Sequence, residues 1–258
     1  MLFIIRVILI SISVILMSVY ALFYCLLSPR NPKNTYHFAM LFSKMSRLVG
    51  LKVTVRIAES AKSNGSVVYI ANHQNNYDML TTTAAVIPGS VSIGKKSLVW
   101  IPFFGIIYWL TGNILIDRDN KGKSRNTITN VVDQMKEKNL AVWIFPEGTR
   151  SRGRGLLPFK MGPFHTALQA GVNIVPTVVS NTHEQVKLNR WDNGEVIVEV
   201  LDPIDTTQYK TREIRRLMMD SHAIMLEKYK QLNEEVNRPD VNSDNHAYSD
   251  KKENNKSK

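Results

Sequence analysis

Residues 66–78 read SVVYIANHQNNYD, and they decide the fold because a buried strand here leads directly into a polar loop. The first six residues are an apolar run rich in β-branched and aromatic side chains, and they follow the turn pair Asn64-Gly65. Asp78 opens a stretch that we expect to be a helix, stopped by Pro88-Gly89. The segment therefore predicts a strand, a loop and a helix in succession, as in α/β proteins.

The loop carries a histidine and a carboxylate at a spacing that suits general-base chemistry. If the loop folds back, Asp78 reaches one ring nitrogen of His73, fixes its tautomer and stabilises the imidazolium, while the other nitrogen faces a substrate. The loop offers no serine or cysteine placed as a nucleophile, so we expect the proton to come from a substrate hydroxyl that attacks a thioester directly. The alternative is that Asp78 only caps its helix and His73 is a polar loop residue.

A second apolar run, residues 140–145, also reads as a strand, and the turn Pro-Glu-Gly-Thr-Arg follows it at residues 146–150. Loops at the carboxyl ends of strands are where open α/β sheets bind ligands. The planar fork of Arg150 suits a phosphate because it gives paired, charge-assisted hydrogen bonds. Glu147 is expected to orient Arg150 or the turn, or else to be a solvated acid.

Two further blocks complete a family pattern. Residues 94–98 and 101–105 run on to Asp117-Arg118, and residues 172–176 read Val-Asn-Ile-Val-Pro. All four blocks, in this order over roughly residues 65 to 180, resemble the glycerolipid acyltransferase family. The resemblance implies transfer of a fatty acyl group from acyl-CoA or acyl carrier protein to the sn-2 hydroxyl of 1-acylglycerol 3-phosphate, which gives phosphatidic acid.

The resemblance also implies roles for individual residues. His73 would be the general base and Asp78 its orienting carboxylate. Substrate binding would involve Lys95, Arg118, Glu147, Gly148, Thr149 and Arg150. Of these, the three basic residues would line the phosphate pocket, and Glu147 and Gly148 would shape the turn. Residues 174–176 would help to form the acyl-donor side, although a buried strand that ends at Pro176 explains them equally well.

The amino terminus predicts a membrane anchor. Residues 7–27 contain no charged side chain, are long enough to cross a hydrocarbon core, and are followed by a helix stop at residues 28–33. A cleaved signal peptide is the rival interpretation, but the apolar run exceeds a signal core and no cleavage site follows it. Basic residues after this run place the catalytic part on the cytoplasmic side of a bacterial inner membrane. With residues 36–49, the segment forms either a spanning helix or a single-leaflet hairpin.

The formal net charge of +11 and the pI near 9.7 fit partners that carry negative charge. Anionic lipid headgroups, a phosphate-bearing acceptor, acyl-CoA and acidic acyl carrier protein would all be attracted. No nucleic-acid motif accompanies the charge, so we expect no nucleic-acid partner. Cys25 is the only cysteine, and no histidine or cysteine cluster has metal-ligand spacing, so we expect no metal and no cofactor other than the acyl-donor substrate.

The chain thus divides into an anchor or hairpin at residues 1–50, a catalytic domain at residues 51–236 and a disordered polar tail at residues 237–258. The predicted fold class is α/β, a single domain with a mixed central sheet flanked by helices. The aromatic stretch 100–110 is expected to pack mostly in the core, with an exposed subset near lipid. Two other functions stay open: the same chemistry on another lysophospholipid or a lyso-ornithine lipid, and non-enzymatic binding of anionic lipid.

Overall fold

The computed structural model of the protein describes residues 1–62, 65–101, 104–116 and 124–236. Within these ranges the helices are α1 (Leu2–Leu27), α2 (Pro32–Lys44), α3 (Asp78–Thr81), α4 (Phe104–Leu110), α5 (Ser124–Lys138), α6 (Gly162–Ala170) and α7 (Ile214–Glu235). The strands are β1 (Lys52–Ile57), β2 (Val68–Ala71), β3 (Ser90–Lys95), β4 (Ile114–Ile116), β5 (Ala141–Ile144), β6 (Ile174–Val179) and β7 (Glu195–Val200). Arg118 and the tail 237–258, which was predicted to be disordered, lie outside the described residues.

One sheet of seven strands forms the centre of the described structure, in the order β1-β7-β6-β2-β5-β3-β4. The strands from β6 to β4 in this order run parallel to one another, β1 runs parallel to β7, and only the pair of β6 with β7 is antiparallel. The predicted fold class is confirmed: a mixed α/β sheet, flanked by helices and preceded by an apolar amino-terminal helix.

The central strands β2, β5 and β6 are buried along their whole length, which explains why their sequences are continuous apolar runs. Strand β6 extends three residues beyond Pro176, where the sequence suggested a strand end. The strand passes through this proline because the Pro176 carbonyl still accepts a hydrogen bond from the Leu201 N–H at 2.8 Å. Residues 177–179 then pair with β7, and the local sequence pattern does not predict this pairing.

Each face of the sheet has its own apolar core. On one face, α5, α6 and α7 pack side chains such as Met135, Phe164 and Leu217 against the strands. On the other face, Val49 and Ala85 pack with Tyr69 and Trp143, whose rings stack at 5.3 Å between centroids. The two layers hold the strand ends, and therefore the loops that follow them, in fixed relative positions.

Helix α1 contacts the rest of the chain along one stripe. Arg6, Ile10, Met17, Ala21 and Cys25 are spaced four or seven residues apart, which places them on one side of the helix, and they face inward. The other faces expose apolar side chains, including Phe3, Ile4, Ile8, Ile15, Leu16 and Phe23. Within the described residues, α1 is the one helix long and apolar enough to cross a membrane, with 6% of its most apolar window buried.

The prediction that residues 100–110 pack mostly in the core is wrong. Trp100 is 84% exposed and Ile106 is 57% exposed, whereas Leu110 is buried. The reason is the position of α4, which packs Leu110 and Ile107 against α1 and α2, while Tyr108 lies close to Gly94 of β3. The side of this short helix that carries Ile106 and Trp109 is uncovered, so these two side chains stay exposed.

Candidate active site

The carboxyl ends of the five parallel strands lie at one edge of the sheet. The loop after β2 carries His73, the loop after β5 carries the turn at residues 146–150, and Lys95 is the last residue of β3. The structure therefore brings these predicted groups to the same edge, as expected for loops of an open α/β sheet. Arg118 follows β4 in sequence, but its position is outside the described residues.

The predicted contact between His73 and Asp78 is present. His73 Nδ1 lies 2.5 Å from Asp78 Oδ2, and the same oxygen accepts hydrogen bonds from the N–H groups of Gln74 at 2.7 Å and Asn75 at 3.2 Å. Asp78 is 3% exposed, whereas the His73 side chain is 20% exposed and stacks on Phe145 at 4.1 Å between ring centroids. The carboxylate holds one ring nitrogen, and the imidazole remains accessible through the other.

The side-chain amides of Asn72 and Gln74, on either side of His73, hold the loop at the end of β6. The Asn72 side chain donates to the Val179 carbonyl at 2.9 Å and accepts from the Val179 N–H at 2.8 Å. The Gln74 side chain donates to the Ser180 carbonyl at 2.8 Å and accepts from the Thr182 N–H at 2.8 Å. Sequence reasoning missed both residues, because their partners lie more than a hundred positions along the chain.

Glu147 faces inward and contacts the His73 loop. Its Oε1 accepts a hydrogen bond from the His73 N–H at 2.7 Å, and its Oε2 accepts one from the Leu157 N–H at 3.2 Å. Burial raises the pKa of Glu147 to about 8, against the lowering effect of both N–H donors, and the nearby Asp78 carboxylate raises it further. The alternative of a solvated turn acid is wrong, because the residue is 3% exposed.

Backbone hydrogen bonds join the two loops directly. The Ser151 N–H donates to the His73 carbonyl at 2.8 Å, and the Arg152 N–H donates to the Gln74 carbonyl at 3.0 Å. The Arg154 guanidinium donates to the carbonyls of Ser151 at 2.8 Å and Arg150 at 3.1 Å, so this arginine holds the turn in shape. The turn and the histidine loop therefore form one unit.

The exposed side of that unit carries the side chains suited to a ligand. Thr149 and Arg150 are exposed, and so is Lys95 at the end of β3. Gly148 has a φ of 67°, and a Cβ at this position would lie 2.8 Å from Lys160 Nζ. The backbone conformation therefore favours glycine, and its lack of a side chain leaves room for Lys160, a cation at the turn that sequence reasoning did not assign to the site.

An apolar cleft of about 290 Å³ opens beside the same turn. The residues that line it come from β3, β4, α5, β5 and α6, and they include Ile93, Ile116, Val131, Phe145, Gly148 and Lys160. Residues 174–176, for which the resemblance implied a place on the acyl-donor side, are buried in β6 and are not among the described lining residues. Phe145, the ring on which His73 stacks, is one of the residues that line the cleft.

Comparison with known proteins identifies the family. A model described as Acyltransferase matches residues 52–180. The chain is 52% identical to the 1-acyl-sn-glycerol-3-phosphate acyltransferase of Salmonella typhimurium, over 92% of this chain and 96% of that protein. The chain belongs to the acyltransferase family. This acyltransferase is also 52% identical to the Escherichia coli enzyme of the same name over the same shares of the two chains, and 35% identical to the human alpha enzyme over 75% of this chain and 69% of that protein.

A solved structure shares the fold. The 1-acyl-sn-glycerophosphate (LPA) acyltransferase PlsC from Thermotoga maritima matches with a TM-score of 0.69 and 20% identity, over 90% of this acyltransferase and 95% of that chain. Among the described residues, no group of three or more histidine, cysteine, aspartate or glutamate side chains is placed to hold a metal ion. The chemistry that the site offers is that of a histidine–carboxylate pair beside exposed cations.

Proposed function

We propose that this acyltransferase moves a fatty acyl group from a thioester to the sn-2 hydroxyl of 1-acylglycerol 3-phosphate and gives phosphatidic acid for phospholipid biosynthesis. The observation that carries the proposal is the 2.5 Å contact between His73 Nδ1 and Asp78 at the sheet edge. Relatives at 49 to 52% identity bear the name of this activity, and each aligns with 92% of this chain.

The geometry supports a direct transfer between donor and acceptor. His73 Nε2 takes the proton of the acceptor hydroxyl as the oxygen attacks the thioester carbonyl. Asp78 holds the Nδ1–H and stabilises the imidazolium that forms. When the tetrahedral intermediate collapses, the carbon–sulfur bond breaks and the imidazolium returns the proton to the leaving thiolate. The products are phosphatidic acid and free CoA or acyl carrier protein, and no metal or cofactor takes part.

The acceptor's phosphate would bind at the exposed cations of the edge. Arg150 offers the paired donors that a phosphate prefers. Lys95 adds a point charge at the end of β3, the strand that pairs with β5. Thr149 supplies a hydroxyl donor next to Arg150, and Arg118 is assigned to the same pocket from the sequence pattern alone. In this assignment Glu147 positions the His73 loop, and Gly148 allows Lys160 to approach the turn.

The acyl chain would occupy the apolar cleft beside Phe145. The residues that line the cleft are mostly apolar, and Lys160 lines it at the turn. A chain bound there has its carboxyl end near the imidazole that stacks on Phe145. Hydrocarbon is stabilised in such a cleft by removal of its surface from water. Acyl-CoA and acyl carrier protein are both proposed as donors, since both present the same thioester.

Contacts along α1 support a placement at the membrane surface without a crossing, and the basic residues that follow α1 support the cytoplasmic side. Arg6 near one end of α1 and Cys25 near the other both contact other described parts of the chain. A helix held along its length by a globular domain lies parallel to the bilayer surface, with its exposed apolar faces in lipid. Of the two topologies left open by the sequence, we therefore propose the single-leaflet hairpin of α1 and α2.

The experiment is an acyl-transfer assay in detergent and in membranes, with acyl-CoA and acyl carrier protein thioesters as donors. Acceptors would be 1-acylglycerol 3-phosphate, another lysophospholipid and a lyso-ornithine lipid. We expect transfer to 1-acylglycerol 3-phosphate to be fastest by kcat/KM. A preference for another acceptor would move the assignment to that lipid. Lipid binding with no transfer to any acceptor would favour the non-enzymatic function.

A further inference from the structure

The connection between β6 and β7 presents a tryptophan to the outside. Trp191 is 78% exposed, although a side chain of this size usually gains stability from burial. Side-chain hydrogen bonds hold the loop that carries this tryptophan in place. The Asn193 side chain donates to the Val49 carbonyl at 2.6 Å and accepts from the Lys187 N–H at 2.9 Å. The Gln185 side chain donates to the Asn193 carbonyl at 2.7 Å.

Arg6 ties this loop to the beginning of α1. Although it lies in an apolar helix, Arg6 is only 5% exposed. Its guanidinium donates to the main-chain carbonyls of Leu188 at 3.3 Å, of Arg190, and of Trp191 at 2.8 Å, and it lies 6.0 Å from the centroid of the Trp191 ring. Three carbonyl partners satisfy most of the donors of the guanidinium, so the charge is retained at a defined position.

Through Arg6, the exposed tryptophan is held at the amino-terminal end of α1, where apolar side chains are also exposed. Phe3, Ile4 and Val7, in the first turns of α1, are 53%, 61% and 39% exposed. The indole adds apolar area at this end of the helix and carries an N–H group, a combination that favours the boundary between hydrocarbon and headgroups.

The charges around Trp191 suit an anionic surface. Lys187 and Arg190 are exposed in the same loop, and Arg6 and the amino terminus lie at the same end of α1. The acidic residues of the loop are Glu184, which lies 3.8 Å from His183, and Asp192, which accepts a hydrogen bond from the Gly194 N–H at 2.7 Å. Lysine and arginine near a bilayer that contains anionic lipid are attracted to its negative surface potential.

We propose that the Trp191 loop is a second membrane contact, in which the indole ring inserts at the headgroup boundary of a bilayer containing anionic lipid. The inference rests on the proposed membrane placement of α1. The hydrogen bonds of Arg6 hold the loop and the beginning of α1 in a fixed relative position, so the helix and the indole enter the lipid together. The loop thereby adds a contact beside the hairpin of α1 and α2, and this contact fixes the orientation of the catalytic domain about the axis of α1.

Tryptophan fluorescence in vesicles of phosphatidylethanolamine and phosphatidylglycerol tests the proposal on the full chain. The chain has four tryptophans, and Trp143 is buried at 4% exposure. The double variant Trp100→Phe/Trp109→Phe therefore retains Trp191 as its exposed tryptophan. We expect lipids brominated near the headgroup end of the acyl chain to quench roughly half of its emission, because interfacial indoles lie at this depth. Adding Trp191→Phe should abolish the quenching.

The matched control places a tryptophan on the opposite face. Met219 on α7 is 65% exposed, so Met219→Trp in the triple-Phe background offers an equally exposed indole that should stay unquenched. If the double variant binds vesicles and retains acyl transfer but is not quenched, the Trp191 contact is refuted and the proposed function stands. Protection of that unquenched tryptophan from acrylamide would assign the loop to a protein contact. If the chain does not bind vesicles at all, the membrane placement fails as well.

Discussion

The loop at residues 72–78 and the exposed cations beside it are built in opposite ways. His73 is fixed by Asp78 at its ring, by Glu147 at its N–H and by Ser151 at its carbonyl. Arg150 and Lys95, by contrast, are exposed side chains at the same edge. A proton transfer requires a base held within a fraction of an ångström, whereas a phosphate is recognised by charge over longer distances. Changes in the loop should therefore lower kcat, and changes in the cations should raise the KM for the acceptor.

The largest effect is expected from His73→Ala. Without the imidazole no group at this position accepts the hydroxyl proton, and kcat for acyl transfer should fall about 1000-fold, within the range for loss of a general base. The KM for the acceptor should change little. His165→Ala, which removes a half-buried histidine from α6, is the matched control and should retain wild-type kcat. Equal activity of the wild type and His73→Ala would exclude His73 as the base.

Asp78→Asn should lower kcat about 100-fold, because the amide cannot hold the Nδ1–H tautomer as a carboxylate does. The measurement is kcat together with the melting temperature, since Asp78 also accepts the N–H groups of Gln74 and Asn75. Asp220→Asn, which changes a half-buried carboxylate on α7 that also accepts a hydrogen bond, from Tyr209, is the matched control. A loss of activity that follows the melting temperature alone would mean that Asp78 only holds the loop in shape; it does not cap α3, whose N-cap is Tyr77.

Most of the strands could be predicted from the sequence, because each buried strand is an apolar run that ends in a turn. The runs at residues 66–71 and 140–145 contain β2 and β5, and the block at residues 172–176 contains the start of β6. The errors came from packing that local pattern does not encode. Strand β6 extends past Pro176 because β7 pairs with it, and Trp100, Ile106 and Trp109 stay exposed because α4 packs on α1 and α2 through its other side.

The candidate site was predictable only where its partners are near in sequence. The contact of His73 with Asp78 spans five positions and follows from the strand–loop–helix order. Gln74 and Asn72 contact residues on β6 and beyond, and Glu147 reaches back 74 positions to the His73 N–H. Such partners are set by the order of strands in the sheet, which one sequence does not specify. Arg6, a charge in an apolar helix, was the one available signal for the contact with the Trp191 loop.

Arg150→Ala tests the other side of the comparison. Loss of the paired donors should raise the KM for the phosphate-bearing acceptor about 30-fold, as expected for a charge-assisted contact worth about 2 kcal/mol, while kcat changes less than about threefold. Arg152→Ala, a neighbouring exposed arginine, is the control. An unchanged KM with a reduced kcat would show that Arg150 does not bind the phosphate and would assign it to the turn.

Glu147→Gln should lower kcat about 10-fold with little change in the KM for the acceptor. The amide keeps the size of the carboxylate but turns an N–H₂ group toward one of two N–H donors, which leaves that donor unsatisfied in a buried site. The His73 loop is then held less firmly. Glu184→Gln, at an exposed position, is the control. A raised acceptor KM at constant kcat would instead indicate that Glu147 contacts the substrate.

The smallest effect concerns stability and not rate. Because burial raises the pKa of Glu147 to about 8, the folded protein holds this proton up to about pH 8, whereas the unfolded chain releases it near the ordinary value of 4.5. The stabilisation is complete below 4.5 and is lost as the pH rises through 8, so between these values the free energy of unfolding falls with pH by up to a few kcal/mol.

Glu147→Gln cannot titrate. Between about pH 5 and 8 the wild type should therefore lose about 5 °C more in melting temperature than the variant. All other titrating groups are shared by the two proteins, so their difference isolates Glu147. If the melting temperatures of the two proteins change with pH to the same extent across this range, the Glu147 carboxylate stays ionised, stabilised by the N–H groups of His73 and Leu157.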